Sequence, residues 1–197
     1  PPLDDPRVFA VEYLMVAVLP AMTWLLARRE QHWADLGLTW PRGEAMVATA
    51  TAAVGLVTVM VVMNALLRAR HPTVGSPYEV IAGRWRPWLV MVVYAVLFVG
   101  LVEELMFRGF LLSRIAALFG GSRAAWYGAA VLVAAAFGLL HGGGGRLMAV
   151  NAAVSGLLLG LAYVATGNLT LVVVAHSAYD AVKVTRYLLA RQPTDPS

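Results

Sequence analysis

The chain has 197 residues, 60% of them hydrophobic, with a mean hydropathy of +0.72 and a net charge of +4. Soluble domains are nearer ~45–50% apolar, so the composition excludes an ordinary water-soluble domain and fits one integral membrane domain. The absence of cysteine excludes a thiol nucleophile, disulfides, Cys-ligated zinc and iron–sulfur clusters. The 14 arginines and single lysine are scattered between apolar runs, as charge flanking a membrane rather than a nucleic-acid patch.

A polar lead-in, Pro1 to Arg7, precedes a first apolar run from Val8 to Ala27, about the 20 residues a bilayer requires. It has no cleavage pattern and reads as a span rather than a signal peptide. It carries Glu12 near the interface and Pro20, where a kink is expected. Arg28 to Gly43 is a connector whose Trp33 and Trp40 suit the membrane interface, with His32 solvated. Glu44 to Leu67 is a second span with a scaffold composition. Arg68 to Pro87 reads as the longest loop and contains a solvated His71. The third helix, Trp88 to Phe119, has 32 residues and would extend about 48 Å, past the ~30 Å hydrocarbon core. It is expected to tilt strongly or to break near Arg108-Gly109. Ala124 to His141 is the fourth span, ending at a Gly142–Gly145 turn. Arg146 to Ala165 is the fifth, with Gly156 and Gly160 as a small-residue packing face and Asn151 able to bond across helices. Asn168 to Ala190 is the sixth, and Arg191 to Ser197 reads as a tail.

The expected fold is thus an all-α polytopic membrane bundle of about six transmembrane helices. It forms one domain, residues 1–197, with a core at 88–191 and two accessory spans at 8–67. Positive residues divide 9 to 5 in favour of the side holding both termini, which places the termini in the cytoplasm. Arginine over lysine, with abundant Ala, Val and Gly, suggests a GC-rich genome and a bacterial inner membrane.

The chemistry concentrates in Val102-Glu103-Glu104-Leu105-Met106-Phe107-Arg108-Gly109. A charge at a bilayer centre costs at least ~2.5–3.5 kcal/mol by insertion scales. Glu104 and Arg108, four apart, share a helix face and can pair. Glu103, about 100° around an α-helix, is left as a spare carboxylate, meeting Phe107. His141, His176 and Asp180 also sit in apolar runs, and the last two share a face at i, i+4. Two hydrolytic chemistries fit these residues. In one, Glu103 is a general base drawing a proton from water, His141 helps hold that water, and His176 with Asp180 serves the oxyanion or orients the reacting group. In the other, His141, His176 and Asp180 bind zinc and Glu103 polarises its water. The first needs fewer groups at metal distances and is the one expected. Ser113, Ser155 and Ser177 have no evident partnership with a histidine. A transporter, a scaffold and an immunity protein are the non-enzyme alternatives; the transporter reading lacks a repeat.

EExxxR at Glu103–Arg108, FxxxH at Phe137–His141 and HxxxD at His176–Asp180, in that order on apolar helices, resemble the three motifs of the CPBP (CAAX protease and bacteriocin-processing, or Abi) family. The resemblance covers roughly Trp88 to Arg191. It implies an all-helical membrane peptidase whose site lies below the membrane surface; a glutamate peptidase without a cofactor is the reading expected here, with zinc as the alternative. It further implies that Glu103 and His141 activate water, that His176 and residue 180 form the oxyanion site, and that Glu104 and Arg108 are a structural pair. The family often has Asn at the last position; an ionised Asp180 cannot donate to an oxyanion, so burial must keep it protonated or its role is indirect. The substrate implied is a membrane-anchored peptide or protein, with sorting-anchor trimming, as in the myxosortase branch, among the options.

Overall fold

The computed structural model describes residues 6–70 and 81–189, with side chains at 17–69 and 81–189. The lead-in residues 1–5, the Glu12 side chain, His71 and the tail from Arg191 lie outside this range. Within it all regular structure is helical, and no strand occurs among the described residues. The described residues contain six long helices: α1 (Pro6–Ala27), α2 (Glu44–Arg70), α3 (Trp85–Leu118), α4 (Arg123–Leu140), α5 (Arg146–Thr166) and α6 (Leu169–Leu189). The fold is an all-α polytopic bundle.

Among the described residues, four helical stretches are long and apolar enough to cross a membrane, at Glu44–Ala69, Trp85–Leu118, Arg123–Gly144 and Arg146–Thr166. The expectation of about six spans meets a compositional limit in α6. Its His176, Ser177 and Asp180 are buried, and Lys183 and Arg186 follow. A helix that turns polar groups inward need not be apolar all round. The helix α2 is the reverse case, exposing Met46, Val47, Val54, Val59, Val62 and Leu66, as a lipid-facing surface does.

Local signals set the helix limits. Ser122 caps α4, its hydroxyl accepting from the Ala125 amide at 3.2 Å. The helix α5 ends at Gly167, whose left-handed φ of 62° suits glycine. Asn168 then opens α6 by accepting from the Leu171 amide at 2.9 Å. The connector after α1 is fastened at this same end of the bundle. The Leu169 amide donates to the Gly37 carbonyl at 3.0 Å, and Tyr163 donates to the Leu36 carbonyl at 2.9 Å. Gly37, at φ 85°, lies so close to the Gly167 carbonyl that no side chain fits there. At the opposite end, the Gly83 amide donates to the Leu188 carbonyl at 3.0 Å and Trp88 Nε1 to Thr185 Oγ1 at 3.1 Å.

The third helix differs from its expectation in three ways. It begins at Trp85, so Pro87 falls in its first turn, where the missing amide costs nothing. The adjoining loop is shorter too, because α2 runs on to Arg70. There is no break at Arg108-Gly109. The helix instead widens into π geometry over Ala95–Glu103 and again over Leu105–Leu112, with Glu104 between. Gly109 admits the Leu169 side chain, which would lie 3.0 Å from an added Cβ. Its glycine therefore serves packing. The helix α1 likewise runs through Pro20.

The α4–α5 pair forms the most extensive helix contact among the described residues. A Cβ at Gly138 would lie 2.6 Å from Ala153 Cβ and 2.8 Å from the Ala149 carbonyl oxygen. Gly156 and Gly160 face α4, where Cβ atoms would meet Phe137 Cδ1 at 3.2 Å and Ala130 Cβ at 3.4 Å. This is the use of small residues that membrane helices make for close approach.

Candidate active site

Both carboxylates of α3 lie in the π-wound stretch, whose bonds close i→i+5 where an α-helix closes i→i+4. Glu103 and Glu104 are both buried, 6% and 0% exposed. Phe107, four residues beyond Glu103, is buried too and packs edge-on against Phe137, with centroids 4.9 Å apart.

Glu104 is the electrostatic centre of the bundle. Its Oε1 accepts from Arg108 Nη1 at 2.7 Å and from His176 Nδ1 at 2.7 Å. Arg108, fully buried, sends Nη2 to the Gly156 carbonyl at 3.0 Å, and its guanidinium lies 4.9 Å from the Phe137 ring centroid. Bonds between charged partners are the strong class, and these join α3, α5 and α6. The two residues pair at the spacing the sequence offered, and His176, 72 positions away, joins them.

On α6, His176 Nε2 lies 3.5 Å from Asp180 Oδ2. Asp180 Oδ1 accepts from Lys183 Nζ at 2.9 Å. The Lys183 ammonium also stands 5.0 Å from the Tyr179 ring centroid. On α4, His141 closes the helix half-buried. Its Nδ1 donates to the Phe137 carbonyl at 2.8 Å, which leaves Nε2 as the lone-pair nitrogen of a neutral ring. The His141 ring packs 4.4 Å from Phe137, and the other face of the cluster brings His176 to 6.2 Å from Phe137.

Glu103 differs from Glu104 in its pairing. The Oε2 of each is buried without a hydrogen-bond partner, but Glu104 Oε1 holds Arg108 and His176, whereas Glu103 has no such cationic partner among the described residues. The charges that act on it are those of His176, Asp180, Glu104 and Arg108. Those acting on His141 are Lys183, His176 and Asp180. The structure therefore gathers Glu103, His141 and Lys183 around one His176–Asp180 pair.

Among the described residues, no three His, Asp or Glu side chains are placed to hold one metal ion. His176 Nδ1 is committed to Glu104 and His141 Nδ1 to a backbone carbonyl. The three serines are occupied or remote in role. Ser113 donates to the Gly109 carbonyl at 2.7 Å, and Ser177 lies against Gly100 and donates to the Val96 carbonyl at 3.4 Å. Ser155 Oγ is buried without a partner.

The family model for type II CAAX prenyl endopeptidases, Rce1-like, matches residues 85–182, about half of the chain. The chain belongs to this family. No curated protein and no solved structure matches it. As a member of the CAAX-type intramembrane proteases it is an integral membrane hydrolase acting on membrane-associated peptides. The matched segment contains all of the residues just described, from Glu103 to Asp180, and stops one residue short of Lys183. Two contributors to this cluster were not singled out in the sequence. Phe137 was visible only as the first letter of FxxxH, and Lys183 only as a flanking charge, although its i, i+3 spacing from Asp180 allows a pair.

Proposed function

We propose that this CAAX-type protease is a metal-independent glutamate peptidase that hydrolyses a peptide bond of a membrane-anchored substrate. The observation that carries the reading is Glu103, a buried carboxylate with an oxygen left unpartnered beside an organised His–Asp pair. Glu103 takes a proton from water, and the His141 Nε2 lone pair holds that water. The water oxygen bonds to the scissile carbonyl carbon as its π electrons move to oxygen. Collapse expels the amine, which receives the proton from Glu103.

The ring contacts define how His176 acts. With Nδ1–H given to Glu104, Nε2 carries a proton only in the imidazolium form. His176 thus serves the oxyanion as a cation flanked by the Glu104 and Asp180 carboxylates. Asp180, accepting from Lys183, acts through His176 rather than touching the oxyanion. Glu104 and Arg108 set the orientation of that ring. The charge bias favours both termini in the cytoplasm and the composition a bacterial cell, with α1 and α2 accessory to a core of α3–α6.

The test is cleavage of membrane-anchored peptides by the purified protein in liposomes, with Glu103→Gln alongside. Cleavage by the parent and none by Glu103→Gln is the expected result; equal cleavage overturns the general-base role. Elemental analysis of chelator-washed protein addresses the metal. Stoichiometric zinc, with activity lost on removal and restored on return, overturns metal independence.

A further inference from the structure

The chain contains one lysine, and it lies in this cluster. Asp180 has two oxygens and two cationic neighbours. Lys183 holds Oδ1 at a full hydrogen-bond distance of 2.9 Å, whereas Oδ2 stops 3.5 Å from His176 Nε2. A bond from an imidazolium to a carboxylate closes to ~2.7–2.9 Å when nothing opposes it. The carboxylate is therefore drawn toward Lys183 and held off the ring. Lys183 is on the same helix, one turn beyond Asp180, and its side chain is 26% exposed while that of Asp180 is 10% exposed. The pull is directed away from His176 and toward the open end of the helix.

We propose that Lys183 is a positioning residue that restrains Asp180 so that the Nε2–H of His176 remains available to a substrate oxygen. Without this restraint Asp180 would take the Nε2 proton as its own hydrogen bond, and the ring would have both nitrogens satisfied by carboxylates. The substrate oxygen would then have to displace an anion. This rests on the peptidase reading for its consequence, but the restraint itself is a geometric statement.

Two measurements test it. The first is a structure of Lys183→Met in the same membrane mimetic as the parent. The Nε2–Oδ2 separation is expected to close from 3.5 Å to about 2.8 Å; an unchanged separation overturns the proposal whatever the protein cleaves. The second is a double-mutant cycle on kcat. Lys183→Met in the parent is expected to lower kcat about tenfold, less than the ~10²–10³ lost with a direct oxyanion donor, with little change in KM. Lys183→Arg, which keeps the cation, recovers most of that loss. In the Asp180→Asn background there is no anion to restrain, so Lys183→Met costs less than about twofold. An equal loss in both backgrounds overturns the proposal. A parent that cleaves no anchored peptide would instead remove the peptidase reading, and the structural measurement would still decide the restraint.

Discussion

Glu103 and Glu104 are adjacent, chemically identical and both buried, yet their replacement by glutamine should act in opposite directions on stability. Glu104 Oε1 receives two bonds of 2.7 Å from cationic side chains, and neither it nor Arg108 is exposed. Glu104→Gln keeps the shape and removes the charge. It leaves Arg108 with one backbone carbonyl and a ring face, a buried cation without its anion. Breaking a buried pair in this way costs ~3–5 kcal/mol. A chain of this length loses about 2–4 °C of melting temperature per kcal/mol, so Glu104→Gln should melt ~6–20 °C below the parent. Glu103→Gln removes a buried anion whose Oε2 has no donor, and a neutral amide is cheaper to bury. Its melting temperature should equal or exceed that of the parent, the usual cost of function to stability. Thermal melts of the three proteins in one detergent, followed by tryptophan fluorescence, measure both effects. Glu104→Gln melting within about 2 °C of the parent would refute the reasoning. So would Glu103→Gln falling as far as Glu104→Gln, because Glu103 would then have a partner as valuable as Arg108.

Arg108→Lys should recover only part of the parent stability, since a point ammonium cannot bridge Glu104 Oε1 and the Gly156 carbonyl as the planar fork does; a full recovery in the same melts would count against the two-ended contact. Gly138→Val should lower folded yield and cost about 1–3 kcal/mol or more by overpacking, because the obstructing atoms include the Ala149 backbone oxygen at 2.8 Å; size-exclusion profiles matching the parent would contradict the α4–α5 contact. Phe137→Leu removes the ring beneath Arg108 and between the two imidazoles, forfeiting ~0.5–2 kcal/mol of cation–π attraction. It should lower kcat more than it raises KM, and unchanged cleavage kinetics would deny Phe137 a part in ordering the histidines.

Local pairings were legible in the sequence and distant ones were not. Glu104–Arg108 follows from i, i+4 spacing, and His176–Asp180 shares a face for the same reason. The bond from His176 to Glu104 spans 72 residues, and no periodicity encodes it. Convergence could be argued only in general terms, from the cost of isolated charge in lipid. The glycines were read by spacing as a packing face, but not that Gly156 would place its carbonyl on Arg108. Length alone allowed α3 either a strong tilt or a break near Arg108-Gly109, and the break does not occur: Arg108 is paired with Glu104 and the Gly156 carbonyl inside the bundle, and the helix runs on past it. Asp180 was legible as an acceptor needing a donor, and the donor lay three residues further along the same helix.

The closeness of α3 and α6 explains why the buried charges can meet at all. Gly100 lies against Ser177 so tightly that a Cβ there would strike the serine side chain, its Cβ coming within 2.9 Å. Ser177 follows His176 directly, and Gly100 precedes Glu104 by one turn. The helix axes are therefore pinned together just beside the point where the imidazole must reach the carboxylate. The π stretches flank Glu104 on both sides, in a part of α3 that is buried on most of its faces, so that Glu103 is enclosed together with Glu104. π geometry is uncommon and concentrates at functional positions, and here it coincides with two adjacent buried carboxylates, one bonded through Oε1 to two cationic side chains and the other without a cationic hydrogen-bond partner among the described residues.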